Sequence, residues 1–299
     1  MEERIGNVKQ LCGAYRLTKT DGAGKGQDLL LLFNGALTLL ITLSHAGDIL
    51  QLWEKGRNVS FITKNGLNNE QKDFASNFPG GMLYTCGLNS VGAREGYPLH
   101  GSIHHAPAEI IALEETETYV KVTMKVEDTA LFGQHLILTR VCTLRYQERS
   151  FTWVDTLTNR GFKAENYALL YHCNFGFPFV DEHSTIEGHY RSSFPRTSWA
   201  EQENAKRRQM ESPVAGMEET CYFDDVDDGT VILNSPTCQE RAVLHFDLPH
   251  LVEWKSRASG DYVIGLEPTT THLDDRFTYQ KLEKGESVSY HLELCFEDL

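Results

Sequence analysis

Tyr171-His172-Cys173-Asn174-Phe175-Gly176-Phe177-Pro178 is the stretch on which the reading of this chain turns. Side chains alternate between faces along an extended segment, so His172 and Asn174 share one face while Tyr171, Cys173 and Phe175 share the other. A sheet that is merely buried has little reason to place two hydrogen-bonding side chains together. Two more segments carry the same mark. Pro98-Leu99-His100-Gly101 follows a glycine-rich run, and Gly265-Leu266-Glu267-Pro268 ends an apolar strand in a carboxylate. These three distant points predict one polar site built on a β scaffold.

The rest of the chain supports that scaffold. Val120 to Val126, Arg140 to Tyr146 and Ser287 to Leu294 alternate apolar with polar residues, the period of half-buried strands. Turn signals at Thr158 to Gly161, Asp227-Asp228-Gly229 and Glu283-Lys284-Gly285 separate such runs at intervals suited to antiparallel strands. Asn34-Gly35 breaks the apolar run Leu29 to Leu43, which is too short for a transmembrane helix and suits a hairpin. Helix signals are sparse, the best being Asn68 to Ser76 with Asn68 as cap and Pro79-Gly80-Gly81 as stop. The polar stretch Glu201 to Ser212 reads as a solvated connection.

With 299 residues, 40% hydrophobic and 23% charged, the composition is that of a globular protein, and one large β domain spanning 1–299 is the expectation. A net charge of −14 opposes nucleic acid or an anionic membrane as partner and leaves a neutral small molecule as the easier ligand. Seven cysteines at irregular spacings read as reduced, partly buried thiols. Met1-Glu2-Glu3-Arg4 lacks the basic start and apolar core of a secretion signal, so the expected location is cytoplasmic.

The chain resembles the aldose 1-epimerases, or galactose mutarotases, and within them a branch whose members mostly lack an assigned substrate. The resemblance runs in the family's order through Gly47-Asp48-Ile49, Gly80 to Asn89, Leu99-His100-Gly101, Tyr171 to Pro178 and Gly265-Leu266-Glu267-Pro268. It implies an all-β fold, a large antiparallel two-sheet β-sandwich of galactose mutarotase type with few short helices, whose ligands lie in an open cleft on one sheet. It also implies an enzyme that interconverts sugar anomers by acid/base ring opening and closure, with a sugar as its small-molecule partner and no cofactor.

The same resemblance places Glu267 at the catalytic base, His172 at the catalytic acid and His100 at a second ring-contacting histidine. Pro268 biases Glu267 to extended backbone, which suits a strand end facing a cleft. A nearby carboxylate would favour protonated His172, with Glu267 near its ordinary value as the base. Asn89 and Arg94 fall in the loop where the family positions substrate-binding groups. Asn174 is a candidate to hold the imidazole or a sugar hydroxyl, and Trp254 to stack on a sugar face. Tyr222 is a further binding candidate, in a region where many mutarotases have an aspartate; this chain reads Cys221-Tyr222-Phe223-Asp224-Asp225 without a clean match.

Other chemistries fit less well. His100, His104, His105 and Glu109 lack the His-x-His spacing of a metal pair on one strand face, and no metal is expected. Cys173 points away from His172, which disfavours a thiol nucleophile. Gly22 to Gly26 lacks the hydroxyl residue and first glycine of a phosphate loop. The alternatives to catalysis on neutral sugars are a carbohydrate-binding or regulatory protein that keeps the cleft without turnover, and an isomerase or lyase acting on an acidic sugar. The oligomeric state is left open by the sequence.

Overall fold

A computed structural model describes residues 2–69 and 73–299. Strands hold 53% of the chain and helices 8%. Gly13–Thr18, Asp28–Phe33, Leu37–Thr42, Asp48–Glu54 and Arg57–Asn58 form a five-stranded antiparallel meander, with the Asn34-Gly35 hairpin between the second and third. Asn34 is wholly buried there: its Oδ1 accepts from the Leu37 amide at 2.7 Å and its Nδ2 donates to the Arg145 carbonyl at 2.6 Å.

Thirteen strands form the second, larger sheet, and one of them explains how it makes a sandwich. Thr220–Ser235 is antiparallel to His250–Ala258 through residues 220–225 and to Glu240–Phe246 through residues 230–235. Asp227-Asp228-Gly229, which reads as a turn between strands, is therefore the corner at which one strand changes partners. On one side the order continues through His250–Ala258, Asp261–Thr269, Glu165–Gly176 and Tyr84–Leu88. On the other it continues through Glu240–Phe246, Ser287–Asp298, Ser150–Asn159, His135–Arg145, Tyr119–Thr129 and Ala108–Glu115.

Between these layers lies the main core, with Trp153, Leu138 and Leu292 from one side and Tyr171, Cys173, Phe175, Ile264 and Leu266 from the other. Arg140 is wholly buried against it. The guanidinium donates to Asp155 at 3.0 and 2.8 Å, to Asp48 at 2.9 Å, to Thr85 Oγ1 at 2.6 Å and to the Ala46 carbonyl at 2.7 Å. Tyr171 Oη donates to the same Asp155 at 2.8 Å. All five N–H groups are satisfied, as a fully buried charge requires. This network ties the small sheet, through Asp48, to the strands that carry His172 and Thr85.

Helices are short. The expected helix Asn68 to Ser76 lies partly outside the described residues; within them the helical turn is Phe74–Asn77, capped by Asp73, whose carboxylate accepts from the Ser76 amide at 3.1 Å. The polar run from Glu201 is less solvated than its composition implies. Arg207 and Met210 within it are buried, and Arg207 donates to Glu253 at 2.9 Å and to Asp224 at 2.7 Å. All seven cysteines are free. Among the described residues no helix is long and apolar enough to cross a membrane.

Candidate active site

The face of the sheet turned away from the main core carries a second apolar cluster, from Phe61, Phe78, Tyr84, Leu170, Cys221, Phe223, Val252 and Val263. Above it opens a cleft of about 660 Å³, a volume within the range of small-ligand sites. His172 and Glu267 meet in this cleft, with Nε2 and Oε1 3.2 Å apart. They come from strands Glu165–Gly176 and Asp261–Thr269, which pair antiparallel with Cys173 opposite Leu266. The register sets the even-numbered His172 and the odd-numbered Glu267 on the same face.

Gly265 makes room for this arrangement. A Cβ there would fall 2.7 Å from Glu267 Oε1 and 2.9 Å from Trp254 Cε3, so only glycine lets carboxylate and indole share the space. Gly101 does the same for His100. It sits at φ +77°, where a Cβ would lie 2.3 Å from the Gly87 carbonyl oxygen, and the tight turn brings His100 into the cleft with its ring centroid 5.7 Å from that of His172.

Aromatic rings enclose the pair. Trp254 stands edge-on to His172 at 5.2 Å and Phe78 lies 5.4 Å from it, while Phe74 packs on His100 at 5.0 Å. Trp254 Nε1 donates to Glu219 Oε2 at 2.6 Å, and Arg196 donates to the other oxygen of Glu219.

Electrostatics differ from the sequence expectation. His172 is 5% exposed and Glu267 2%. Burial pushes the Glu267 carboxyl well above its ordinary value, with the Glu219 charge adding to the rise and Arg196 opposing it. Burial pulls His172 well below the ordinary imidazole value, and His100 adds to the fall. The uncharged pair, protonated Glu267 with neutral His172, is thus favoured over the ion pair, because neither group has the water that would stabilise its charge. His100 is lowered to about 4, first by burial and then by Arg196. Glu267 Oε1 and His172 Nδ1 also lack hydrogen-bond partners. Buried polar atoms without partners are uncommon.

Of the remaining sequence candidates, Trp254 lines the cleft. Asn174 is wholly buried beneath it, where Nδ2 donates to the carbonyls of Gly81 and His172, both at 3.0 Å, so it braces the backbone of the histidine. Arg94 stands behind the cleft wall, donating to the Asp274 carbonyl at 2.9 Å with its guanidinium 3.6 Å over Phe277. Asn89 donates to Ser102 Oγ at 3.2 Å, and its carbonyl accepts from Tyr279 Oη at 2.9 Å. Tyr222 does not reach the cleft. Cys221 and Phe223 take the cleft face, so Tyr222 points to the other, where Oη donates to the Ala200 carbonyl at 2.6 Å and Arg207 covers the ring.

His104 and His105 are 2.9 Å apart at Nε2 and line a separate cavity of about 300 Å³ with His45, away from His100. Sequence reasoning missed Arg196, Glu219, Phe61, Phe74 and Phe78. No strand periodicity marks them, since Phe74 lies in the short helical turn and the others on connections or irregular segments.

A mutarotase-like β-sandwich with a polar pair at the floor of an open cleft is the class that fold and site define, and solved structures agree on the fold. A Klebsiella pneumoniae protein given a provisional aldose 1-epimerase description superposes with a TM-score of 0.86 at 18% identity, over 99% of this chain and 90% of that one. A galactose mutarotase-like protein from Clostridium acetobutylicum gives 0.74 at 12%, over 97% and 100%. One from Lactobacillus casei gives 0.64 at 15%, over 90% and 100%. Comparison with curated proteins finds no match. The chain belongs to the family described as Domain of unknown function (DUF4432), whose model matches residues 24–295.

Proposed function

We propose that this protein is an aldose 1-epimerase-like isomerase that interconverts the anomers of a free sugar. The observation that carries the reading is the contact of His172 Nε2 with Glu267 Oε1 at 3.2 Å on the floor of an aromatic-walled cleft. Ring opening removes the proton from the anomeric hydroxyl and delivers one to the ring oxygen. The bond from the anomeric carbon to the ring oxygen breaks as the carbonyl forms. After rotation about the adjacent carbon–carbon bond, closure reverses both transfers and restores the pair. One group that holds a proton and one that lacks it suffice, and a coupled pair meets that need as a unit whichever member holds the proton at rest.

Charge in the cleft favours a neutral sugar over an acidic one. Among the described cleft residues the cations are Lys64 and Arg196, and each is matched by a carboxylate: Lys64 by Asp261 at 2.9 Å, Arg196 by Glu219. An incoming carboxylate or phosphate would find no unmatched cation in the cleft to receive it. The test is exchange between anomers, followed by polarimetry or NMR, across a panel of neutral aldoses and acidic sugars. Faster exchange of neutral aldoses supports the proposal. Sugar binding without exchange would instead favour the binding-protein reading, and turnover confined to acidic sugars the isomerase or lyase reading.

A further inference from the structure

Beyond the cleft, Asp225, His250 and His272 converge. His250 Nδ1 lies 2.7 Å and His272 Nε2 3.0 Å from the same oxygen, Asp225 Oδ1, and one ligand atom from each residue falls within 4.8 Å of the others. Asp225 and His250 face each other across paired strands, whereas His272 comes from the segment that follows Asp261–Thr269. Ser192 Oγ donates to Asp225 Oδ2 and so turns Oδ1 toward the imidazoles. The rings of His250 and His272 are 4.2 Å apart at their centroids.

We propose that this trio binds a divalent transition-metal ion, with Zn²⁺ the best match. Two imidazoles and a carboxylate suit zinc and its neighbours, whereas calcium and magnesium take oxygen ligands. Bonds of roughly 2.0–2.2 Å in a tetrahedral site put ligand atoms about 3.4 Å apart, so the two imidazole contacts to Asp225, at 2.7 and 3.0 Å, would open by less than an ångström to admit the ion. His272 is nearly buried, while Asp225 and His250 are about a quarter exposed at 25% and 23%, which leaves an entry path and a fourth position for water. The nearby Arg276 is neutralised by Asp274 at 2.5 Å.

The ion has a structural consequence for the cleft. His272 immediately precedes Leu273 and Asp274, which line it. A metal holding His272 to Asp225 and His250 would fasten that wall to the sheet, apart from the proton chemistry of His172 and Glu267. The proposal does not depend on the sugar reaction.

Zinc titration of chelator-stripped protein against a chromophoric competitor tests it, with Co²⁺ substitution as a second readout. Wild type should take up a Zn²⁺ that His250→Ala and Asp225→Asn bind at least ~100-fold more weakly, and bound Co²⁺ should show the intense visible bands of a tetrahedral site. His250 is partly exposed, so its variant is expected to fold, which circular dichroism checks. Wild type without stoichiometric Zn²⁺, or both variants binding as tightly as wild type, would overturn the proposal. In that case the three side chains are only a hydrogen-bonded cluster.

Discussion

Trp254 donates its indole N–H to Glu219 at 2.6 Å, and this bond holds the ring edge-on to His172 at 5.2 Å. A ring fixed in this way forms a wall of the cleft at little entropic cost on binding. Trp254→Ala should raise KM for the sugar by roughly 10-fold, about 1.4 kcal/mol, with a smaller change in kcat. Trp254→Phe keeps an aromatic face but loses the bond to Glu219 and should fall between. Steady-state kinetics on both variants check this; an unchanged KM in Trp254→Ala would remove the indole from the binding surface.

The protonation of the pair can be read directly. Because burial lowers His172, its ring should be neutral at neutral pH in the unliganded protein and gain a proton only well below the ordinary imidazole value. Nitrogen-15 NMR of the imidazole distinguishes the forms, and an imidazolium at neutral pH would restore the ion pair expected from the sequence.

Glu267 has the opposite sign. Its carboxyl is raised in the folded state, so the native protein holds a proton that the unfolded chain releases above the ordinary value of 4.5. Stability therefore falls as pH rises from there through the folded pKa. Glu267→Gln removes that cost. The variant should gain resistance to urea relative to wild type at about pH 8 and lose the advantage as the pH falls toward 4.5.

Much of this site was legible in the sequence because strand parity is a strong rule. Once Tyr171 to Gly176 is read as extended, His172 must oppose Tyr171, and the structure places them on opposite faces of the sheet. Parity also explains the misplacement of Tyr222, which needs the register of Cys221 against Trp254, a long-range fact no local pattern contains. Glu219 and Arg196 were hidden for a similar reason, since nothing near either residue marks their shared contact. The uncharged pair was missed because burial outweighs the mutual attraction of two groups, and burial depends on residues such as Phe61 and Phe78 far along the chain.

Arg140 offers a test of the scaffold. Replacing it with Met leaves Asp48 and Asp155 buried without their cation, and loss of one partner of such a pair costs about 3–5 kcal/mol. Urea denaturation should show that loss. A cost below about 1 kcal/mol would mean that the network does not hold the layers together.

Chelation separates the two sites. If the ion at Asp225, His250 and His272 fastens only the cleft wall, stripping it should leave kcat within about twofold while KM rises. A kcat that collapses on chelation and returns with Zn²⁺ would place the metal in the chemistry itself.

The central claim is that Glu267 and His172 together move the protons of ring opening, and anomer exchange in Glu267→Gln and His172→Asn tests it most directly. NMR exchange spectroscopy on a neutral aldose turned over by wild type should show each variant slowed by ~10²-fold or more, with sugar binding weakened only modestly. Exchange at the wild-type rate in both variants would contradict the account.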